Sequence, residues 1–179
     1  YTRTEVILEL GAAGPTTAWA LTRSGLLRKV NGGQTWAAAR LPPQPVRHVQ
    51  FSTTTVGWAD AGSALYQTVD GGRTWHVVPT PDKLGASCFV DALHGWIANA
   101  GSTQQGMEGT ADGGRSWQAI SLPPGTERGG GEHALGCAKP RVLWNLFNIG
   151  PYTRGQGYLL SRSLDGGRAW TPELRNAFD

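Results

Sequence analysis

The sequence predicts an all-β fold of four tandem units, each a four-stranded antiparallel sheet. Three observations carry that expectation. Four octets, KVNGGQTW, TVDGGRTW, TADGGRSW and SLDGGRAW, close at Trp36, Trp75, Trp117 and Trp170, and these tryptophans recur 39, 42 and 53 residues apart. The other four of the eight tryptophans, Trp19, Trp58, Trp96 and Trp144, occupy a second repeated setting: TAWAL, VGWAD, HGWIA and VLWNL. Turn-forming residues interrupt the chain about every eight to twelve residues, and no segment carries the apolar period of a helix. Self-similarity at this period marks stacked supersecondary units, and four strands per unit is the pattern of a β-propeller blade.

Composition agrees. The 179 residues include 26 Gly and 11 Pro, and 9% are aromatic. Gly and Pro at that level, with many Trp and Thr, suit short strands and tight turns. A hydrophobic fraction of 39% supplies a core, which excludes a disordered chain. The glycines follow no three-residue period, which excludes collagen. No apolar stretch approaches the length of a membrane-spanning helix, and no signal-peptide pattern is present. The net charge of +3 is spread along the chain, so no nucleic-acid footprint is expected.

The units are expected at roughly 4–43, 44–81, 82–124 and 125–179, forming one propeller domain or a portion of one. In the second unit, residues 46–52 (VRHVQFS) alternate and follow Pro45. Residues 57–61 carry Trp58, and residues 65–69 form a third strand. Asp70-Gly71-Gly72 makes a turn, and residues 74–78 run to Pro79 and Pro81. The octet has a physical logic. An Asp side chain accepts hydrogen bonds from N–H groups that the turn leaves free, the glycines take positive φ, and the Trp buries a large apolar area beneath the corner. The first octet departs from the others, with Lys29 in place of Ser or Thr and Asn31 in place of Asp.

The pattern S/T-x-D-x-G-x-T/S-W resembles the Asp-box, or BNR repeat. Residues 68–75 and 110–117 match it fully, and residues 163–170 depart only at Ala169. The wider pattern resembles the photosystem II stability/assembly factor family and bacterial secreted BNR-repeat proteins. It consists of a Gly-Trp strand, then the octet, then a strand closed by Pro. The resemblance implies a propeller in which Asn31, Trp36, Asp70, Trp75, Asp112, Trp117, Asp165 and Trp170 are structural. It also implies a partner protein or peptide, such as a subunit of a membrane complex, bound during assembly outside the cytoplasm. Asp-boxes recur in glycosidases, so a carbohydrate-binding or sialidase-like glycoside-hydrolase propeller is the alternative.

No catalytic set can be assembled. A sialidase needs an arginine cluster, a Tyr–Glu pair and an acidic Asp, and the Arg-Ile-Pro strand of that family is absent. Tyr66 reads as a sheet residue. The acidic residues outside the octets and the C-terminal segment are Glu5, Glu9, Asp60, Asp82, Asp91, Glu108, Glu127 and Glu132, and nothing in the sequence pairs two of them for glycoside chemistry. His48, His76, His94 and His133 lack metal-ligand spacing. Gly129-Gly130-Gly131 lacks the context of a phosphate loop. We therefore expect a non-enzymatic chain with no cofactor and no metal. Cys88 and Cys137 each lie shortly before a strand-two Trp, on the first strands of adjacent units. They read either as a disulfide suited to an oxidising compartment or as two buried thiols.

Connection lengths point to a binding face. From strand-two Trp to turn Asp or Asn the spacings are 12, 12, 16 and 21 residues, and the link into the fourth unit is longer than the others. In a meander, the links between blades and the loops from second to third strand leave one face, and the octet corners leave the other. Residues 99–109, 123–133 and 148–157 therefore converge on the face opposite the corners. They carry Gln104, Gln105, Glu108, Glu127, Arg128, His133, Tyr152 and Arg154 as candidate partner contacts. We expect a portion of a larger propeller ahead of a closed four-bladed ring, and that ahead of completion by a second chain.

Overall fold

A computed structural model describes residues 6–29, 35–81, 83–99, 106–126, 133–152 and 155–176. It is all-β: among the described residues every regular element is a strand, and the sixteen strands form four four-stranded antiparallel sheets. The chain divides into two compact units, Tyr1–Thr80 and Pro81–Asp179, each holding two blades. Blade one is β1 (Ile7–Ala12), β2 (Ala18–Thr22), β3 (Leu26–Lys29) and β4 (Ala37–Ala39). Blade two is β5 (Val46–Phe51), β6 (Gly57–Ala61), β7 (Ala64–Thr68) and β8 (His76–Val78). Blade three is β9 (Leu84–Phe89), β10 (Gly95–Asn99), β11 (Met107–Thr110) and β12 (Gln118–Ile120). Blade four is β13 (His133–Lys139), β14 (Val142–Tyr152), β15 (Gly155–Ser163) and β16 (Thr171–Asn176). Every sheet keeps its strands in chain order, the meander of a propeller blade.

In the first unit, Trp19, Leu21 and Leu26 of blade one pack on Val49, Phe51, Ala59 and Tyr66 of blade two. The Phe51 ring lies 5.7 Å from Trp19 and meets Trp75 edge-on at 6.1 Å, geometries that favour aromatic pairs beyond their buried area. The glycine before the strand-two Trp has a packing reason. A Cβ on Gly57 would lie 2.6 Å from the Phe51 ring, and one on Gly95 would collide with Phe89. In the second unit Leu143, Phe147 and Leu159 are buried, with Leu122 packed on the last two. A Cys88–Cys137 disulfide, with its Cα atoms 6.0 Å apart, joins β9 to β13.

Candidate functional site

The octet corners hold three of the four carboxylates whose pKa is lowered among the described residues. In the second blade the Thr68 hydroxyl donates to Asp70 Oδ1 (2.8 Å) and accepts from the Gly72 N–H (2.9 Å). Asp70 Oδ1 also accepts from the N–H groups of Arg73 (2.9 Å) and Thr74 (3.0 Å), and the Thr74 hydroxyl donates to Oδ2 at 2.6 Å. Gly71 and Gly72, at φ 78° and 81°, let the backbone turn so that these donors converge. The third blade repeats the arrangement with Thr110, Asp112, Gly114 and Ser116. The fourth repeats it with Ser163, Asp165 and Gly167, but Ala169 offers only its N–H.

This bonding sets the charge state. The Thr74 hydroxyl, followed by the Thr74 N–H, holds Asp70 well below the usual carboxylate range. The Ser116 hydroxyl and N–H bring Asp112 to about 2. The Ala169 N–H leads the causes that lower Asp165. The octet carboxylates are thus held ionised and bonded to their own turns, the opposite of what a general acid needs. Arg73 and Arg115 turn back onto the carbonyls of Asp70 and Asp112. The octet tryptophans act beyond their own corner. Trp75 Nε1 donates to the Arg40 carbonyl (2.9 Å), and Trp170 Nε1 donates to the Ser121 carbonyl (2.7 Å). In each case the acceptor lies just past the fourth strand of the preceding blade.

The second unit holds the three long connections, β10–β11, β12–β13 and β14–β15. Asn99 N–H donates to the Gly106 carbonyl (2.9 Å), which closes the base of the β10–β11 connection. The link after β12 holds buried Thr126, whose hydroxyl donates to the Pro123 carbonyl at 2.8 Å. The third segment, residues 148–157, departs from the loop expected of it. The β14–β15 ladder continues past a register shift between Asn148 and Pro151 to pair Pro151 with Gln156 and Tyr152 with Gly155. Pro removes a ladder donor, so the strand accommodates it at an irregularity. Relative to β6, which ends three residues after its Trp, β14 runs five residues further, roughly 17 Å of extra strand.

The candidate contacts fare unevenly. Glu108 lies within β11, opposite Ile97 and Ala119, so it belongs to the sheet rather than to a connection. His133 opens β13 opposite Phe147, and Tyr152 sits at the hairpin end. Gln104, Gln105, Glu127, Arg128 and Arg154 lie outside the described residues, as does Asn31. Sequence reasoning missed Arg28. This buried side chain lies 4.1 Å over the Phe51 ring and donates to the Gly71 carbonyl through Nη1 and to the Thr54 carbonyl through Nη2, both at 2.5 Å. Burial, then the Arg73 charge, lowers its pKa. It also missed the clip between β1 and β5, where His48 Nδ1 meets Glu9 Oε1 at 2.6 Å and the Val49 N–H donates to Glu9 Oε2 at 3.0 Å. Burial alone would lower the His48 pKa, but the Glu9 hydrogen bond and charge, with Asp60, raise it.

A groove of about 560 Å³ opens on the corner side of the second unit, lined by His94, Trp96, Gln118, Arg141, Gly167 and Arg168 among others. His94 serves the β9–β10 turn there, its Nδ1 3.0 Å from Asp91 Oδ2. Burial raises the Asp91 pKa, and the N–H groups of His94 and Leu93 outweigh it to lower the value overall. Among the described residues no three His, Cys, Asp or Glu side chains cluster to hold a metal, and no helix is long and apolar enough to cross a membrane.

These sheets define an all-β repeat protein of propeller blades. No protein-family model matches the chain, and no curated protein matches it. Among solved structures it is similar to the GH74 xyloglucanase from Xanthomonas campestris, with 20% identity and a TM-score of 0.60 over 92% of this chain and 29% of that one. At that identity the likeness is one of fold. YCF48 bound to D1 peptide superposes with a TM-score of 0.47 at 17% identity, covering 94% of this chain and 81% of that chain. YCF48 from Cyanidioschyzon merolae gives 0.46 at 15% identity, covering 97% and 86%.

Proposed function

We propose that this chain is a non-enzymatic binding and assembly scaffold that recognises a protein or peptide through the face opposite its Asp-box corners. The observation that carries this reading is the β14–β15 hairpin. Where blades one and two turn within a few residues, blade four extends a paired, Pro-bearing ladder to Tyr152 and Gly155. A ladder fixed by hydrogen bonds presents its tip at lower entropic cost than a loose insertion of equal length. Tyr152 and Arg154 are the proposed anchors, because Tyr and Arg dominate interface energetics when they become buried. Gln104, Gln105, Glu127, Arg128 and His133 are the proposed surrounding contacts. The Cys88–Cys137 disulfide supports an oxidising, extracytoplasmic setting.

The test is a pull-down that identifies the partner, followed by affinity measurements on Tyr152→Ala and Arg154→Ala. Each should weaken binding by about 1–2 kcal/mol while shifting Tm little. Arg141→Ala and Arg168→Ala, in the groove on the corner side, should bind normally. Loss of binding in the groove variants alone would place the interface on the wrong side, and glycan binding or turnover would replace the scaffold reading with the carbohydrate one.

A further inference from the structure

The repeat gives each unit an equivalent corner contact, and the two are completed differently. In the first unit Arg28 stands on β3 opposite Trp19 and Ala37. Its guanidinium bridges two carbonyls of blade two, Gly71 in the octet and Thr54 in the β5–β6 turn. In the second unit the same register position, on β11 opposite Trp96 and Gln118, holds Gly109. Both acceptor positions are nevertheless kept. The Gly166 N–H donates to the Arg141 carbonyl as the Gly71 N–H donates to the Thr55 carbonyl, so Gly166 corresponds to Gly71. Pro140 follows Cys137, the partner of Leu143, at the interval by which Thr54 follows Phe51, the partner of Gly57.

The space beside those acceptors differs accordingly. A Cβ on Gly71 would lie 2.5 Å from Arg28 Nη1 and 3.1 Å from the Thr54 carbonyl oxygen. Among the described residues, a Cβ on Gly166 would meet nothing nearer than the Pro140 carbonyl oxygen, at 3.9 Å. That opening belongs to the groove of about 560 Å³, whose wall includes Gly109, Pro140 and Gly166. Trp96 does part of what Arg28 does. Its Nε1 reaches the Gly166 carbonyl in a long bond of 3.4 Å, whereas Trp19 Nε1 turns to the Val49 carbonyl at 3.0 Å. A carbonyl oxygen has two lone pairs, so Gly166 can accept a second donor from the groove.

We propose that this groove receives an arginine side chain carried on an extended segment of a partner protein, its guanidinium bridging the Gly166 and Pro140 carbonyls as Arg28 bridges Gly71 and Thr54. The first unit supplies the reason for a guanidinium. Two carbonyls set for one planar fork suit Arg, whereas an ammonium donates from a single point. Ala119 and Ile120 line the same groove and offer apolar surface to the methylene stem. The groove is larger than one side chain fills, which leaves room for the backbone of a segment. Its charges permit a cation. Asp112 and Asp165 on the wall offset Arg141 and Arg168. In the first unit Arg28 takes its place although burial, and then the octet arginine Arg73, lower its pKa. This contact does not rest on the hairpin reading, and the segment it takes is separate from the one assigned to that face.

Titration followed by amide and indole NMR signals tests it, with the pentapeptide acetyl-Gly-Gly-Arg-Gly-Gly-amide as the probe. The Trp96 indole N–H and the Gly166 amide should shift saturably. Counterparts carrying lysine or the uncharged isostere citrulline should bind at least about fivefold more weakly. Methylguanidinium alone should bind at least about tenfold more weakly than the peptide, because it lacks the stem and backbone contacts. Ala111→Trp and Gln118→Trp, at exposed positions on the groove wall, should keep the wild-type circular dichroism and Tm and each lose most of the response. No shift at Trp96 and Gly166 up to millimolar peptide overturns the proposal. So does an equal response to the citrulline peptide, or a response that neither Trp variant weakens. Equal affinity for methylguanidinium overturns the claim that the ligand is a segment. A stronger response to the glutamate counterpart, drawn by Arg141 and Arg168, overturns the choice of a cation.

Discussion

Arg28 shows how a residue with an unremarkable local sequence becomes structural. Its strand reads LLRK, yet its guanidinium satisfies two carbonyls, Thr54 and Gly71, and covers an aromatic face on the next blade. Replacing it with Ala removes the donors and the packing together, and should cost about 2–4 kcal/mol in urea unfolding. Lys should recover little, because an ammonium does not present a planar fork to two acceptors above a ring. Those partners are 26 and 43 residues away, so nothing near Arg28 in the sequence discloses them. Ala169 is the contrary case, since a single octet position discloses what is missing. Thr74 and Ser116 each give a hydroxyl to the second carboxylate oxygen of their Asp, and Ala169 gives none. Ala169→Thr should restore that bond and raise Tm slightly, on the order of 1–3 °C, as differential scanning calorimetry would show.

At the scale of the element, the strands with turn chemistry at both ends were legible. In β6, the Gly-Trp start is required by the Phe51 ring, and the alternation and closing turn mark its length. The β14–β15 hairpin was not legible, because Gly150, Pro151, Gly155 and Gly157 are the residues that ordinarily signal a loop. The ladder absorbs them through the register shift. The pairing of first strands was half legible. The cysteine positions allowed a bridge and did not require it, whereas Glu9 and His48 gave no sign of meeting. Cys88 and Cys137 are 49 residues apart, and a loop of that length corresponds in the chain-entropy account to about 4 kcal/mol. The Cys88→Ser/Cys137→Ser double variant should lose stability of that order in equilibrium unfolding, or less if the unfolded chain stays compact.

The whole molecule was read correctly in class because a period repeated across most of its length outweighs any local ambiguity. The proposed binding face rests on arithmetic on connection lengths, which locates insertions without giving their conformations. Periodicity also conceals a difference. The first strands of the two halves occupy the same place in the repeat, but one pair is held by an ion pair and the other by a covalent bond. Because the folded pKa of His48 is raised above its ordinary value of 6.5, the Glu9–His48 contribution is complete below 6.5 and disappears as pH climbs through the raised value. The Tm gap between wild type and His48→Gln should therefore narrow as the medium becomes alkaline. Reductant leaves that contact alone and opens the other. Two halves that look alike in the repeat should consequently fail under different stimuli. A protease acting on the reduced chain in mild acid should cut first after Pro81, and the same protease in mild alkali without reductant should cut first before Thr80.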